Sequence, residues 1–310
     1  MKLFGWRGLL CLVSLPALFY GCASSHSNLP KYQQDAAIAL SNANMQLEAN
    51  HPDAALHLVH LALRSHQLLG DLPASVHDMN RIGYIKSSLG QYQNSLLWFQ
   101  RASLLSLVVG DPLLQAETAA LSSDTEIALK NDARASKLID KGFSLISPLP
   151  SSASRDRIEA HLYNSSGILR LNEKKWKEAL SYFKKSLTIN QRLNDLRKQA
   201  ANWSNVGNVD LALSQAQKSK EAFLRALSLD RRTGDANGIA FDSEGLALAE
   251  VRLGEWHEAL QSLLVSYQIR LQQKNIQESR HDLELFNAIL QKHALPVNSS
   301  LLLTWPATTN

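Results

Sequence analysis

Small residues recur along most of the chain at three fixed places, and a large apolar residue recurs at a fourth. Between Trp203 and Asp235, Gly207 stands first, Ser219 and Ala226 follow twelve and nineteen residues on, and Phe223 lies between those two. The Gly207 place reads Ala43, Gly83, Ser123, Gly167, Gly207 and Ala247 through the chain. The Ser219 place reads Ala55, Ser95, Ala135, Ala179, Ser219 and Ala259, and the Ala226 place Ala62, Ala102, Gly142, Ser186, Ala226 and Ser266. The large place reads Val59, Phe99, Ile139, Phe183, Phe223 and Leu263. The steps between copies are 40, 40, 44, 40 and 40 residues. Self-similarity at a fixed period of this size marks stacked supersecondary units.

Each copy predicts a helix, a short turn and a second helix. In the second copy these are Met79 to Leu89, Gly90-Gln91 and Tyr92 to Val109, with Gly110-Asp111 as the stop. The same stop recurs as Gly70-Asp71, Asn194-Asp195 and Gly234-Asp235. Two antiparallel helices approach closely only where a Gly, Ala or Ser lies at their crossing and a larger side chain fills the groove beside it. A lone hairpin cannot bury its apolar face, so the copies must share one continuous core. Pro52 fits the first position of the second helix in the first copy, which otherwise reads as a polar capping repeat.

The spacing resembles the tetratricopeptide repeat, whose pattern is W-x2-L-G-x2-Y, then A-x3-F, then P. The fifth copy carries Trp203-x2-Val206-Gly207 and Ser219-x3-Phe223. The fourth carries Tyr163-x2-Ser166-Gly167, Trp176 and Ala179-x3-Phe183, and the sixth Leu246-Ala247, Gly254, Trp256 and Ala259-x3-Leu263. The resemblance covers Ala36 to Asn275 and departs from the family at its Tyr place, which is polar in every copy: Gln46, Lys86, Glu126, Arg170, Asp210 and Glu250. The long repeat and the Asn205-Val206-Gly207-Asn208 run resemble the kinesin light chain and related peptide-binding repeat proteins. The expected fold is all-α: a right-handed superhelical solenoid of about six hairpins over residues 35–295, closed by a capping helix from Glu278 to Ala294. The third copy is the most degenerate, with Ser122-Ser123 at the Leu-Gly place. Its closing run Ser147-Pro148-Leu149-Pro150-Ser151-Ser152 reads either as a looser joint between two halves or as an ordinary loop.

Ahead of the repeats, Lys2 and Arg7 precede an apolar run from Gly8 to Tyr20, too short to span a bilayer well and of the length of a signal-peptide core. Gly21-Cys22 then resembles the lipobox of bacterial lipoproteins, although Phe19 stands where that family prefers Leu. The resemblance implies removal of residues 1–21, lipidation of the Cys22 thiol, a tether over 22–34, and sorting to an outer membrane facing the periplasm, since Ala23 and not Asp follows the Cys. The alternative is an ordinary cleaved secretion signal ending at Ala23. After cleavage Cys22 is the last cysteine left, so no internal disulfide forms and anchoring is its natural use. The tail over 296–310 holds Leu301, Leu302, Leu303 and Trp305, which need cover from the last helix, the groove or a partner.

Composition narrows the function classes. At 45% hydrophobic and 19% charged residues this is a globular body, and its formal charge of +4 falls to +2 without Lys2 and Arg7. That is too weak and too scattered for nucleic-acid binding. No catalytic or nucleotide-binding motif is present, no cofactor is implied, and His257-Glu258 lacks the second His of a zinc helix. His57 and His60 are three apart, a metal-compatible spacing, but have no third ligand at matching spacing.

In the resembled family the first helices of the hairpins line a concave groove that takes an extended peptide or a partner's helix. Carried onto this chain, the groove places are Asn44, Arg81, Tyr84, Asp124, Asn164, Asn205, Asn208, Glu244 and Arg252. An Asn amide both donates and accepts, so it suits a peptide backbone, and Tyr84 adds an aromatic anchor. Only Arg81 and Arg252 are cationic there, which disfavours a carboxylate clamp. The expectation is a lipid-anchored, non-enzymatic scaffold that holds a protein or peptide in envelope assembly. The alternative is a binding protein for a polysaccharide or cell-wall fragment, which calls for groove aromatics, whereas Trp176 and Trp256 fall at second-helix starts.

Overall fold

The computed structural model describes residues 31–293. The expected signal segment, Cys22, the tether up to Pro30 and the C-terminal tail lie outside the described residues. The described residues form thirteen α-helices, and the chain divides into two compact units between Glu173 and Lys174. The first unit holds α1 (Lys31–Glu48), α2 (Pro52–Leu69), α3 (Leu72–Ser88), α4 (Tyr92–Val109), α5 (Pro112–Ala128), α6 (Asp132–Ile146) and α7 (Ala153–Asn172). The second holds α8 (Trp176–Arg192), α9 (Leu196–Ala212), α10 (Ala216–Thr233), α11 (Ala236–Leu253), α12 (Trp256–Gln272) and α13 (Ile276–His293).

Each unit is a stack of antiparallel hairpins. In the first, α1 pairs with α2, α3 with α4 and α5 with α6, while α3, α5 and α7 form an inner row. In the second, α9 pairs with α10 and α11 with α12, α9 and α11 lie side by side, and α13 closes the stack on α12. The architecture is the all-α helical-repeat solenoid that the periodicity predicts.

The crossings follow the small-and-large pattern. Val59, Phe99, Ile139, Phe183, Phe223 and Leu263 are all buried. A Cβ built on Gly83 would stand 2.6 Å from the Phe99 ring, so only a glycine lets α3 and α4 close to this distance. Ser219 replaces the usual Ala without penalty, because its hydroxyl donates to the Gly207 carbonyl across the crossing at 2.8 Å. Ser122 and Ser123 are likewise buried and donate to Thr118 and Ala120 carbonyls of their own helix, both at 2.7 Å.

The turns repeat as closely as the core. Asn50, Gly90, Lys130, Lys174, Ser214 and Gly254 sit at one register place between paired helices, with φ of 58, 73, 60, 60, 59 and 80°. After the second helices, Gly70, Gly110, Asn194, Gly234 and Lys274 also take positive φ. The Asp residues that follow are helix starts rather than part of a stop. Asp71, Asp111, Asp195 and Asp235 accept from backbone N–H groups of Ala74, Leu113, Lys198 and Gly238 at 2.8–3.1 Å. Hence α3 begins at Leu72, seven residues before the expected Met79.

The polar residues at the family's Tyr place clasp the same turns. Gln46 meets His51 at 3.1 Å, Lys86 donates to Gln91 at 3.3 Å and Asn131 donates to Glu126 at 2.7 Å, each five residues along. Ser214 and Lys130 hold a left-handed backbone without the freedom of glycine, which costs an L-residue about 1–2 kcal/mol. Ser214→Gly and Lys130→Gly are expected to raise stability by about 0.5–1 kcal/mol each, after the entropy cost of glycine, as read by urea unfolding.

Three expectations shift. The helical body starts at Lys31, inside the span 22–34 expected as a tether. The first hairpin is not uniformly polar outside: Ile38 and Met45 on α1 are 55% and 61% exposed. The run from Ser147 to Ser152 lies inside the first unit and is no boundary. Arg155 Nε donates to the Ile146 carbonyl at 3.2 Å across it, Ser152 caps α7, and Leu149 packs on the core of Ile146, Ile158 and Leu162. The division falls instead at the turn inside the fourth copy.

Candidate partner-binding surface

An inner helix flanked by two others has few fully solvated positions, so its polar residues must find partners on its neighbours. The inner row of the first unit does this helix by helix. Asn80 on α3 donates to Thr118 on α5 at 3.0 Å. His77 Nδ1 on α3 stands 3.2 Å from Glu117 on α5. Between α5 and α7, His161 Nε2 lies 2.6 Å from Asp124 Oδ2, and Ser165 donates to Asp124 Oδ1 at 2.5 Å. From the outer row, His66 Nδ1 on α2 lies 2.6 Å from Asp78 on α3.

Three of these side chains share one register place. His77, Glu117 and His161 succeed one another 40 and 44 residues apart, on α3, α5 and α7. The His77 side chain is 41% exposed, and those of Glu117 and His161 are 13% and 20% exposed. Arg81 lies one turn after His77, and burial lowers its guanidinium to about 10 while Asp78 and Glu117 hold it up. Burial also lifts the Asp78 carboxyl, with His66 and Arg81 opposing. Burial works against the His77 imidazolium, yet Glu117 raises it above its ordinary value, and the bond to Asp78 raises His66. The row therefore offers imidazoles held by carboxylates and a largely buried cation one turn on, with His77 the most exposed of its members.

The expected groove residues divide between the units. In the first, Arg81 and Asp124 belong to this row, Tyr84 is half-buried against the core of the first hairpins, and Asn44 is half-buried on α1. Asn164, on α7, is only 8% exposed. In the second unit Asn205 is 6% exposed, Asn208 is half-buried and Arg252 is exposed. Glu244 is engaged by Arg270 Nη2 at 2.7 Å and faces His281 at 3.4 Å, so it serves the seating of α13. Arg270 also holds Asp282 of α13 at 2.5 Å. An extended ligand would reach little of Asn164 or Asn205.

Sequence reading missed His77, Glu117 and His161. The signal was the alignment of copies at a place other than the small-residue one. For metals, no group of three or more His, Cys, Asp or Glu suited to an ion occurs among the described residues. His60, half of the spaced pair with His57, stacks edge-on against Trp98 with centroids 5.2 Å apart. Trp256 stacks on His293 of α13 at 3.6 Å, as a residue that packs between elements should. No described helix is long and apolar enough to cross a membrane.

No family model matches the chain, and no curated protein matches it in sequence. Solved structures do match in fold. BtubC from P. vanneervenii superposes with a TM-score of 0.55 at 14% identity, over 79% of this chain and 93% of its own. The Cut9–Hcn1 hetero-tetramer of APC/C gives 0.61 at 16%, over 84% of this chain and 44% of its own. A signal-transduction ATPase from Pyrococcus horikoshii with a tetratricopeptide repeat sensor gives 0.58 at 15%, over 84% and 46%. The chain thus spans less than half the length of the last two. At these identities the likeness speaks to fold alone, and the fold is a helical repeat of the tetratricopeptide type.

Proposed function

We propose that this protein is a lipid-anchored, non-enzymatic scaffold whose inner helix row in the first unit binds an extended segment of a protein partner. The observation that carries the reading is the succession His77, Glu117, His161, with Arg81 and Asp124 beside it. Packed helices stand about 8–10 Å apart and an extended chain advances about 3.3 Å per residue, so one inner helix meets roughly every third ligand residue. A repeating row of donors and acceptors suits a polymer with a repeating backbone. The fold neighbours lend support: one is a hetero-tetramer of two different proteins, and in another the repeats form a sensor. The lipid on Cys22 would hold this surface at the membrane, with an outer-membrane, pilus or cell-wall assembly as the setting.

The test is affinity capture from detergent-solubilised membranes with the full chain as bait, beside a His77→Ala/His161→Ala variant of unchanged melting temperature. Losing two hydrogen-bonding edges is expected to weaken a partner by about tenfold or more. An identical set of captured proteins from both baits would sink the groove reading. Fractionation of a Cys22→Ser variant tests the anchor separately: the lipid reading requires it to leave the membrane fraction.

A further inference from the structure

The outer helices carry a second surface that the groove does not use. On α4 the outward stripe is Leu97, Arg101, Leu104 and Val108, spaced i, i+4, i+7 and i+11, and all four are exposed. Leu97, Leu104 and Val108 are 54%, 61% and 72% exposed. The other copies show what this face is elsewhere. The Leu104 place reads Arg64, Ser144, Thr188, Ser228 and Gln268, and the Leu97 place His57, Lys137, Ser181, Glu221 and Gln261. A solvated helix face is polar because nothing covers it, so α4 departs from its own repeat.

The neighbouring outer helices extend the surface. On α2 the same stripe reads His57, Leu61, Arg64 and Leu68, again all exposed. The seam to α4 is closed by the contact of His60 with Trp98, and Arg101 lies over that same ring at 4.7 Å. On α6 the stripe opens with Lys137 and Lys141, both exposed. α4 has no carboxylate anywhere along its length; on the flanking helices Asp53 stands one turn before His57 and Asp140 beside Lys141, both exposed, against the four cations Arg64, Arg101, Lys137 and Lys141. Asp78, Glu117 and Asp124, by contrast, belong to the inner row. An excess of cations over acids beside exposed aliphatic side chains is the chemistry of an anionic lipid interface. The aliphatic side chains run along two helices, Leu61 and Leu68 on α2 and Leu97, Leu104, Leu107 and Val108 on α4, all exposed, a row that a fluid headgroup layer can cover.

We propose that the outward face of α2, α4 and α6 is an interfacial membrane surface that seats on anionic phospholipid, with Leu61, Leu68, Leu97, Leu104 and Val108 entering the headgroup–acyl boundary. The proposal goes beyond the groove and does not depend on the lipid anchor. It is tested with the chain from Ala23 onward, which contains every described helix and lacks Cys22. The chain is co-sedimented with phosphatidylcholine vesicles and with phosphatidylcholine–phosphatidylglycerol vesicles. Binding is expected on the anionic vesicles only and weakens with salt. Leu104→Ser/Val108→Ser is expected to lower the partition coefficient about tenfold. Arg101→Ser/Lys141→Ser is expected to lower it about tenfold or more. Arg231→Ser/Arg232→Ser, an equal loss of charge in the second unit, leaves it within about threefold.

A polarity-sensitive fluorophore attached through Leu104→Cys, the chain from Ala23 having no other cysteine, is expected to shift to the blue on anionic vesicles. This readout holds even if a double variant misfolds. Equal binding to neutral vesicles, equal loss from the second-unit variant, an unshifted fluorophore, or capture of an acidic protein through Leu104 without vesicle binding would each overturn the proposal.

Discussion

Phe223→Ala is expected to destabilise the second unit by about 3–5 kcal/mol, the range for truncating a fully buried aromatic. The ring has no solvent-exposed area and is a wedge between two glycines on two other helices. A Cβ built on Gly207 of α9 would stand 2.9 Å from it, and one on Gly245 of α11 would stand 2.4 Å from it. Both helices are thus brought to a single side chain of α10, and removing that side chain leaves a cavity bounded by backbone, which relaxes poorly. The mirror experiment is Gly245→Ala. It forces a methyl into the ring and is expected to cost about 1–3 kcal/mol by overpacking. In the double variant the added methyl occupies part of the space the ring has left. Its loss should therefore fall short of the sum of the two single losses by about 1 kcal/mol or more. Urea unfolding read by circular dichroism measures all three. Additive losses, or a loss under about 1 kcal/mol for Phe223→Ala, would show that the ring is not the wedge.

The Gly207 side of this wedge was legible in the chain because volume at the crossing within a hairpin is a local demand repeated in every copy, whereas Gly245 on the next hairpin was not read. Gly207, Ser219 and Phe223 recur in kind wherever two helices of a hairpin meet. The turns were legible for the same reason, down to Gly70 and Gly234, although the Asp after each glycine was misread. Asp71 and Asp235 look like the tail of a stop when only the preceding helix is considered. Their carboxylates instead accept from the first N–H groups of the next helix. The candidate surface was less legible because polar pairing depends on rotation between successive copies. Glu244 and Asp124 occupy places that can face a ligand, but Arg270 and His161 reach them from neighbouring helices and take their oxygens. Lys86, Glu126 and Gln46 read as departures from a family pattern, and only the turn geometry shows that they clasp the residue five places on. The outer face of α4 was present in the sequence as Leu97, Leu104 and Val108. It becomes visible once the buried positions are known and subtracted.

Stability is expected to fall as the pH rises from about 5 to about 8, and Asp242→Asn is expected to remove much of that fall. Asp230 on α10 and Asp242 on α11 are both buried, at 4% and 0% exposure. They face each other, Asp235 adds a third negative charge, and Ser204 and Arg197 approach from α9. Burial lifts the Asp230 carboxyl to about 7, with Asp235 adding to the lift and Asp242 and Arg197 opposing it. Burial also raises Asp242 well above the ordinary carboxylate range, with Asp230 and Asp235 adding and Ser204 opposing. The sign follows from proton counting. Between the unfolded value near 3.8 and the folded value near 7, the folded chain keeps a proton that the unfolded chain releases. The stabilisation is complete below the unfolded value and is lost as the pH rises through the folded one. For Asp230 alone this amounts to about 2–4 kcal/mol across that window. Asparagine at 242 keeps the shape, carries no charge and offers an N–H donor to the Asp230 carboxylate, so that carboxylate can ionise without a buried neighbour of like sign. The variant is therefore expected to be more stable than the parent by about 2 kcal/mol near pH 8 and to show a shallower slope. What slope remains belongs to Asp282, which burial also lifts to about 7, to the raised carboxyls of Asp78, Asp210 and Glu250, and to His66 and His77, all acting in the same direction. Urea unfolding at fixed pH steps decides the matter. A parent whose stability is level or rises over this range, or an Asp242→Asn variant with the parent's slope, would mean that the two carboxyls do not share a proton in the fold.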